Sequence, residues 1–133
     1  MKIKVLFNNS CLEIDGAKYH HHPNGGGLVA ETAKVAETAY VGPFAQVIDN
    51  ARVLDNVKVF GNAQVSGNAK VFGRARVFGD ARVWGNAQVF GEAWVFGNAS
   101  IGDNAQVAGK AHVHGQAWVH GNGRVLRNQN ISV

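Results

Sequence analysis

Between Val59 and Ser100 the chain reads VFGNAQ VSGNAK VFGRAR VFGDAR VWGNAQ VFGEAW VFGNAS. Every sixth residue is valine, with glycine two places later and alanine four places later. A fixed short period outranks local propensity as a constraint on fold. The six-residue ladder runs from Val29 to Ile131 without an insertion. Alanine at the fifth place gives way only to Val57, Gly123 and Gln129. The third place is usually glycine or an acid, and the fourth is most often asparagine. The first repeats (VAETAK, VAETAY, VGPFAQ) are degenerate, as terminal repeats commonly are.

This period is not helical, and a glycine in every repeat would break a helix. It suits short β segments joined by tight corners. With the lead valine facing inward, alternation turns its two neighbours outward and brings the preceding alanine inward. The Gly-Asn pair makes the corner, because both residues tolerate positive φ.

The V-x-G-N-A-x pattern resembles the hexapeptide-repeat family of left-handed parallel β-helices, over residues 29 to 131. That resemblance implies three hexapeptides per triangular coil, hence about 18 residues per coil and a left-handed wind. The handedness comes from the family alone, since ordinary parallel crossovers are right-handed. The expected fold class is all-β: a β-solenoid over residues 29–133, with an N-terminal hairpin cap and Gly-rich connector over residues 1–28.

Residues 18 apart then stack at roughly 4.8 Å along the axis. One corner column reads Thr32, Asn50, Asn68, Asn86, Asn104, Asn122, an asparagine ladder suited to hydrogen bonds between coils. A second reads Thr38, Asn56, Arg74, Glu92, Lys110, Asn128, whose charged run alternates in sign as a register-fixing stack should. Both columns read as structural.

Function is expected on the outward faces. Face A, around Val29, Val47, Val65, Val83, Ile101 and Val119, carries a mixed column: Ala30, Ile48, Ser66, Trp84, Gly102, His120. Face B carries an apolar column of Ala36, Leu54, Phe72, Phe90, Ala108 and Leu126. Beside it stand Lys34, Arg52, Lys70, Gln88, Gln106 and Arg124, with no acid among them. Face C carries Gly42, Phe60, Phe78, Phe96, His114 and Ser132 beside Tyr40, Lys58, Arg76, Trp94, His112 and Asn130. A large aromatic buries about 150–250 Å². Several in register exceed the few hundred Å² that a monomer leaves open. Face B is expected to mediate self-association as a dimer or trimer, which the resemblance also implies, since relatives usually assemble as trimers. Face C is expected to dock a protein partner.

The N-terminal segment alternates through Ile3, Val5 and Phe7, a strand signal. Asn8-Asn9-Ser10 and Asp15-Gly16 read as turns around a second strand, Cys11–Ile14, with a third near Lys18-Tyr19. The hairpin is expected to cover an open end of the solenoid. His20, His21 and His22 precede Pro23-Asn24 and three glycines. They suit metal binding or a tag-like tract, but the composition favours a solvated loop. The closing VLRNQNISV offers no obvious cap, so an exposed edge and end-to-end pairing are expected there.

The N-terminus lacks a signal-peptide pattern, and no apolar run reaches a membrane span. The single Cys11 fits a reducing compartment, so a cytoplasmic location is expected. The net charge of +4 permits anionic partners without demanding one.

Among enzymes with this repeat, acyltransferases usually add an extruded loop, and carbonic anhydrases hold zinc with three histidines between subunits. No insertion breaks this ladder, and the nearest acids by sequence, Asp103 and Glu92, are expected on corners, away from His112, His114 and His120. No catalytic residue, metal or cofactor is therefore assigned, and an acyltransferase-like or metal-dependent enzyme, with His112 and His114 as two ligands and a third from across an interface, stays the second alternative. Basic residues among aromatics also suit a small anionic nucleotide at a subunit interface. Tracking along nucleic acid is disfavoured by the coil spacing. Ice binding needs threonine arrays, and only Thr32 and Thr38 are present.

The expected role is a non-catalytic recognition or assembly module. Loop-free GNAxVxG arrays with a PNGGGxV lead-in resemble proteins of bacteriophage and prophage genomes. That resemblance implies a virion part or an inhibitor of a host defence factor, in the cytoplasm of the host cell.

Overall fold

The computed structural model describes residues 3–6, 11–14, 17–127 and 129–132, with side chains from residue 18 onward. The described residues form an all-β parallel solenoid of six coils. Successive coils pair in register 18 residues apart, as in Val65↔Val83, Val71↔Val89 and Val77↔Val95. Three parallel sheets result, one per outward face, and most solenoid strands are only two residues long. Among the described residues no helix is long and apolar enough to cross a membrane.

The interior follows from the six-residue pattern. Val47 to Val113 at the lead positions are fully buried, and so are Ala51 to Ala117 two residues ahead of each following lead. Val57 takes an alanine position and is equally buried. Alternation leaves most residues beside a lead valine at the surface or partly so, the buried ones being the small Ala30, Gly42, Gly102 and Ala108. Corners close through bonds such as Ala63 N–H to Phe60 O at 3.4 Å. Gly61 makes that corner with φ +64°, a conformation that costs an L-residue about 1–2 kcal/mol.

At three corners an aspartate takes the glycine's place, also at positive φ: Asp49, Asp55 and Asp103. Each carboxylate accepts the N–H of the residue one coil on, at 3.0 Å, from Gly67, Gly73 and Gly121. The alternation of glycine and acid at this place therefore has a cause. Glycine avoids the strain, and aspartate offsets it with a hydrogen bond between coils.

The N-terminal segment forms β1 (Ile3–Leu6), β2 (Cys11–Ile14) and β3 (Ala17–His21), all antiparallel. Strand β3 pairs antiparallel with β4 (Leu28–Ala30), the first strand of face A, through His20↔Val29. The expected hairpin thus exists as three strands, and it extends the face A sheet. The turns expected at Asn8-Asn9-Ser10 and Asp15-Gly16 lie outside the described residues, as does Asn128.

The connector between β3 and β4 is not the solvated loop its composition suggested. His22 is 4% exposed, and its Nε2 lies 2.8 Å from Ala39 O. Asn24 Nδ2 donates to the same carbonyl at 3.1 Å. Gly27 N–H donates to Val41 O, and Val41 N–H to Asn24 O. A Cβ on Gly25 would sit 2.1 Å from Val41 O, so the glycines permit this close approach. The connector closes the exposed edge of the first face C strand, whose carbonyls have no earlier coil to bond. His20 and His21 turn elsewhere, to Glu31 Oε1 at 3.0 Å and Gly26 O at 2.9 Å, so the three imidazoles do not converge.

Candidate functional site: the aromatic face

Face C carries the longest run of stacked rings among the described residues. Phe60, Phe78 and Phe96 stack with centroids 4.8 and 4.9 Å apart and ring planes within 2° of parallel. His114 continues the column over Phe96 at 4.9 Å. The backbone imposes the spacing: Phe60 N–H bonds Val77 O and Phe78 N–H bonds Val95 O, so the rings stand one coil apart. In the adjacent column His112 stacks on Trp94 at 4.9 Å, and the Arg76 guanidinium carbon lies 5.2 Å from the Trp94 ring centroid. The columns meet edge to face, with Trp94 at 74° to both Phe78 and Phe96.

This geometry corrects the expected area. The ring faces cover one another, so Phe60, Phe78, Trp94 and Phe96 are only partly exposed. Among the residues whose side chains are described, the large apolar ones that stand open are Phe44 (76%), Trp118 (61%) and Leu126 (37%). Leu126 belongs to the face B column. Phe44 takes a corner place that asparagine usually fills, and Trp118 flanks Val119 on face A. Both departures were visible in the repeat pattern, yet neither joined an aromatic column.

Face B has one stacked pair, Phe72 and Phe90 at 4.9 Å and 1°. Ala108 is buried, and Lys34, Arg52 and Lys70 are directly registered neighbours in three successive coils. On face A, the Trp84 indole lies over Gly102, where a Cβ would fall 2.1 Å from the ring. Its Nε1 donates to Ser100 Oγ at 2.8 Å.

The corner ladders differ from expectation. Asn50, Asn68, Asn86 and Asn104 are linked to the next coil through backbone N–H groups, donating to Gly67, Gly85, Asp103 and Gly121 carbonyls. Their side chains, like that of Asn122, are exposed and form no side-chain ladder among the described residues. Arg74, Glu92 and Lys110 do share a corner, but no ion pair closes between them within 4.0 Å. Exposed pairs contribute little, so nothing holds those long side chains together. At the corner between faces C and A, Asn62 Nδ2 donates to Asp80 Oδ1 at 3.2 Å.

Between this charged corner and face C lies an open groove of about 340 Å³, lined by Arg74, Arg76, Glu92, Trp94, Lys110 and His112. Glu92 thus reaches a groove shared with His112. Asp103 also stands nearer a histidine than expected: its Oδ2 lies 4.0 Å from His120 Nδ1. That oxygen already accepts the Gly121 N–H, and both side chains are about half exposed. The pair is therefore an open surface contact without an enclosing pocket. His114 Nε2 lies 2.6 Å from Asn130 Oδ1, and the His112 ring is engaged with Trp94.

Comparison with family models, curated proteins and solved structures returns no match. The architecture therefore stands on the repeat and its geometry.

Proposed function

We propose that the protein is a non-catalytic recognition module that docks a protein partner through face C. One observation carries this reading: Phe60, Phe78, Phe96 and His114 form one unbroken stack along the solenoid, locked edge-on to Trp94 and His112. The stack is rigid because each ring is set by a backbone bond to the next coil and by its neighbours' faces. Rigid aromatic anchors bind at a low cost in side-chain entropy. Such a module suits a virion part or an inhibitor of a host defence factor, and the inhibitor would act by occlusion without an active site. Self-association through face B belongs to the same proposal. The nucleotide reading is weaker on a specific ground: a base needs an open ring face, and Phe78, Phe96 and Trp94 have both of theirs covered.

The test is site-directed photocrosslinking in cells. A photoreactive phenylalanine at position 78 is expected to give a discrete crosslinked species that Phe96→Ser abolishes. The same group at Asn68, on an exposed corner, is expected to give none. Equal crosslinking from both positions would refute docking through face C.

A further inference from the structure

We infer that face C recognises a carboxylate-rich protein segment, a proposal that rests on reading this face as the docking surface. The argument begins with the direction of the rings. Parallel stacking within 2° hides the faces of Phe78 between Phe60 and Phe96, so what meets solvent is a row of ring edges. An aromatic ring carries negative charge density on its faces and positive density at its edge. A column that looks merely apolar in composition thus presents its electropositive side.

Most of the surrounding charges have the same sign. Lys58 and Arg76 occupy neighbouring positions of the adjacent column, and Arg74 and Lys110 stand at the corner beside it. None of the four has a carboxylate within 4.0 Å among the described residues. Glu92 is the one acid lining the groove there. At the opposite corner, Asp80 is engaged by Asn62. The fold therefore leaves four cations beside a row of ring edges with no ion pair among the described residues, while the carboxylates at the two corners, Asp55, Asp80 and Glu92, are fewer than the cations; a partner rich in aspartate or glutamate supplies the missing pairing.

Nucleic acid offers the same sign of charge but fits less well. Sequence-tolerant binding of single strands relies on bases stacking on open aromatic faces. Here Trp94 holds Arg76 from the preceding coil and His112 from the following one. Carboxylates need only the edges and the cations.

The experiment is fluorescence anisotropy with a labelled oligoglutamate peptide and a labelled oligothymidylate of equal charge, at one salt concentration. Oligoglutamate is expected to bind saturably and more tightly. Removing two charges, the exposed Lys58 and the half-buried Arg76, by Arg76→Gln with Lys58→Gln, is expected to weaken it about tenfold. Phe78→Leu with Phe96→Leu keeps apolar bulk but removes the ring edges, and is also expected to weaken binding. Lys34→Gln with Lys70→Gln on face B removes the same net charge and is expected to leave affinity within about twofold, because those charges lie on another face. Far-UV circular dichroism checks that each variant keeps the solenoid, and the charge variants carry the test if a phenylalanine variant does not. The inference is overturned if oligoglutamate fails to saturate, if oligothymidylate binds as tightly, or if the face B variant loses as much as the face C variant. Crosslinking at position 78 does not depend on the partner's charge, so failure here leaves the docking reading to be judged by that experiment.

Discussion

The corner residues make the sharpest prediction, because the chain already contains both solutions to one problem. Gly97 turns a corner at φ +66°, and a Cβ there would lie 2.9 Å from Gly115 N. Gly97→Ala meets the left-handed conformational cost of about 1–2 kcal/mol, with the next coil giving slightly to admit the methyl group. The expected loss is about 2 kcal/mol. Gly97→Asp meets the same strain, but its carboxylate is placed as Asp49 is placed beneath Gly67, at 3.0 Å from the amide. The Gly115 N–H has no protein acceptor among the described residues, so the new bond displaces only water. A hydrogen bond to a charged group contributes about 1.5–3 kcal/mol, discounted here for exposure. Gly97→Asp is therefore expected within about 1 kcal/mol of wild type. Gly121→Ala is the control: φ is +60° and nothing lies within 4 Å, so only the conformational cost of about 1 kcal/mol remains. Thermal unfolding followed by circular dichroism reads these differences, at roughly 3–6 °C per kcal/mol for a chain of this size. An aspartate at 97 as destabilising as alanine would refute the account of why acids replace glycine at these corners.

Three further outcomes follow from particular contacts. His22→Ala leaves Ala39 O with the Asn24 amide alone and opens a gap at a 4%-exposed site. It is expected to cost about 1–3 kcal/mol and to speed amide exchange at Gly27 more than at the central coils, as read by hydrogen exchange. Gly102→Ala places a methyl group where the Trp84 ring lies. The indole is expected to swing out, breaking its bond to Ser100 and shifting tryptophan emission to longer wavelength; unchanged emission would contradict the packing. For face B, light scattering is expected to give a dimer or trimer for wild type and a monomer for Phe72→Ser with Phe90→Ser. A monomeric wild type would remove self-association from the proposal.

Much of the molecule was legible before any coordinates. The six-residue period assigned valine and alanine to the interior, placed Gly-Asn at the corners, and set which residues share a column. Parallel pairing in register makes that possible, since a residue's neighbour along the axis is simply the one a coil away. The third-place choice of glycine or acid was equally visible, although its reason was not.

What only the tertiary structure decided lies within columns and at ends. Position in a column says that Arg74, Glu92 and Lys110 are neighbours; rotamers decide whether they touch, and on an exposed corner they do not. The same limit hid the Trp84 indole over Gly102 and the approach of Asp103 to His120. Ring faces that cover one another turned an expected open apolar patch into a row of edges. The connector shows the limit most plainly. HHHPNGGG reads as solvent-exposed by composition, yet the first coil has carbonyls with no preceding coil to bond, and His22, Asn24 and Gly27 are recruited to them. A repeat specifies the contacts between its copies, whereas the end of an array has no copy to contact, so whatever chain lies beside it supplies the missing hydrogen bonds.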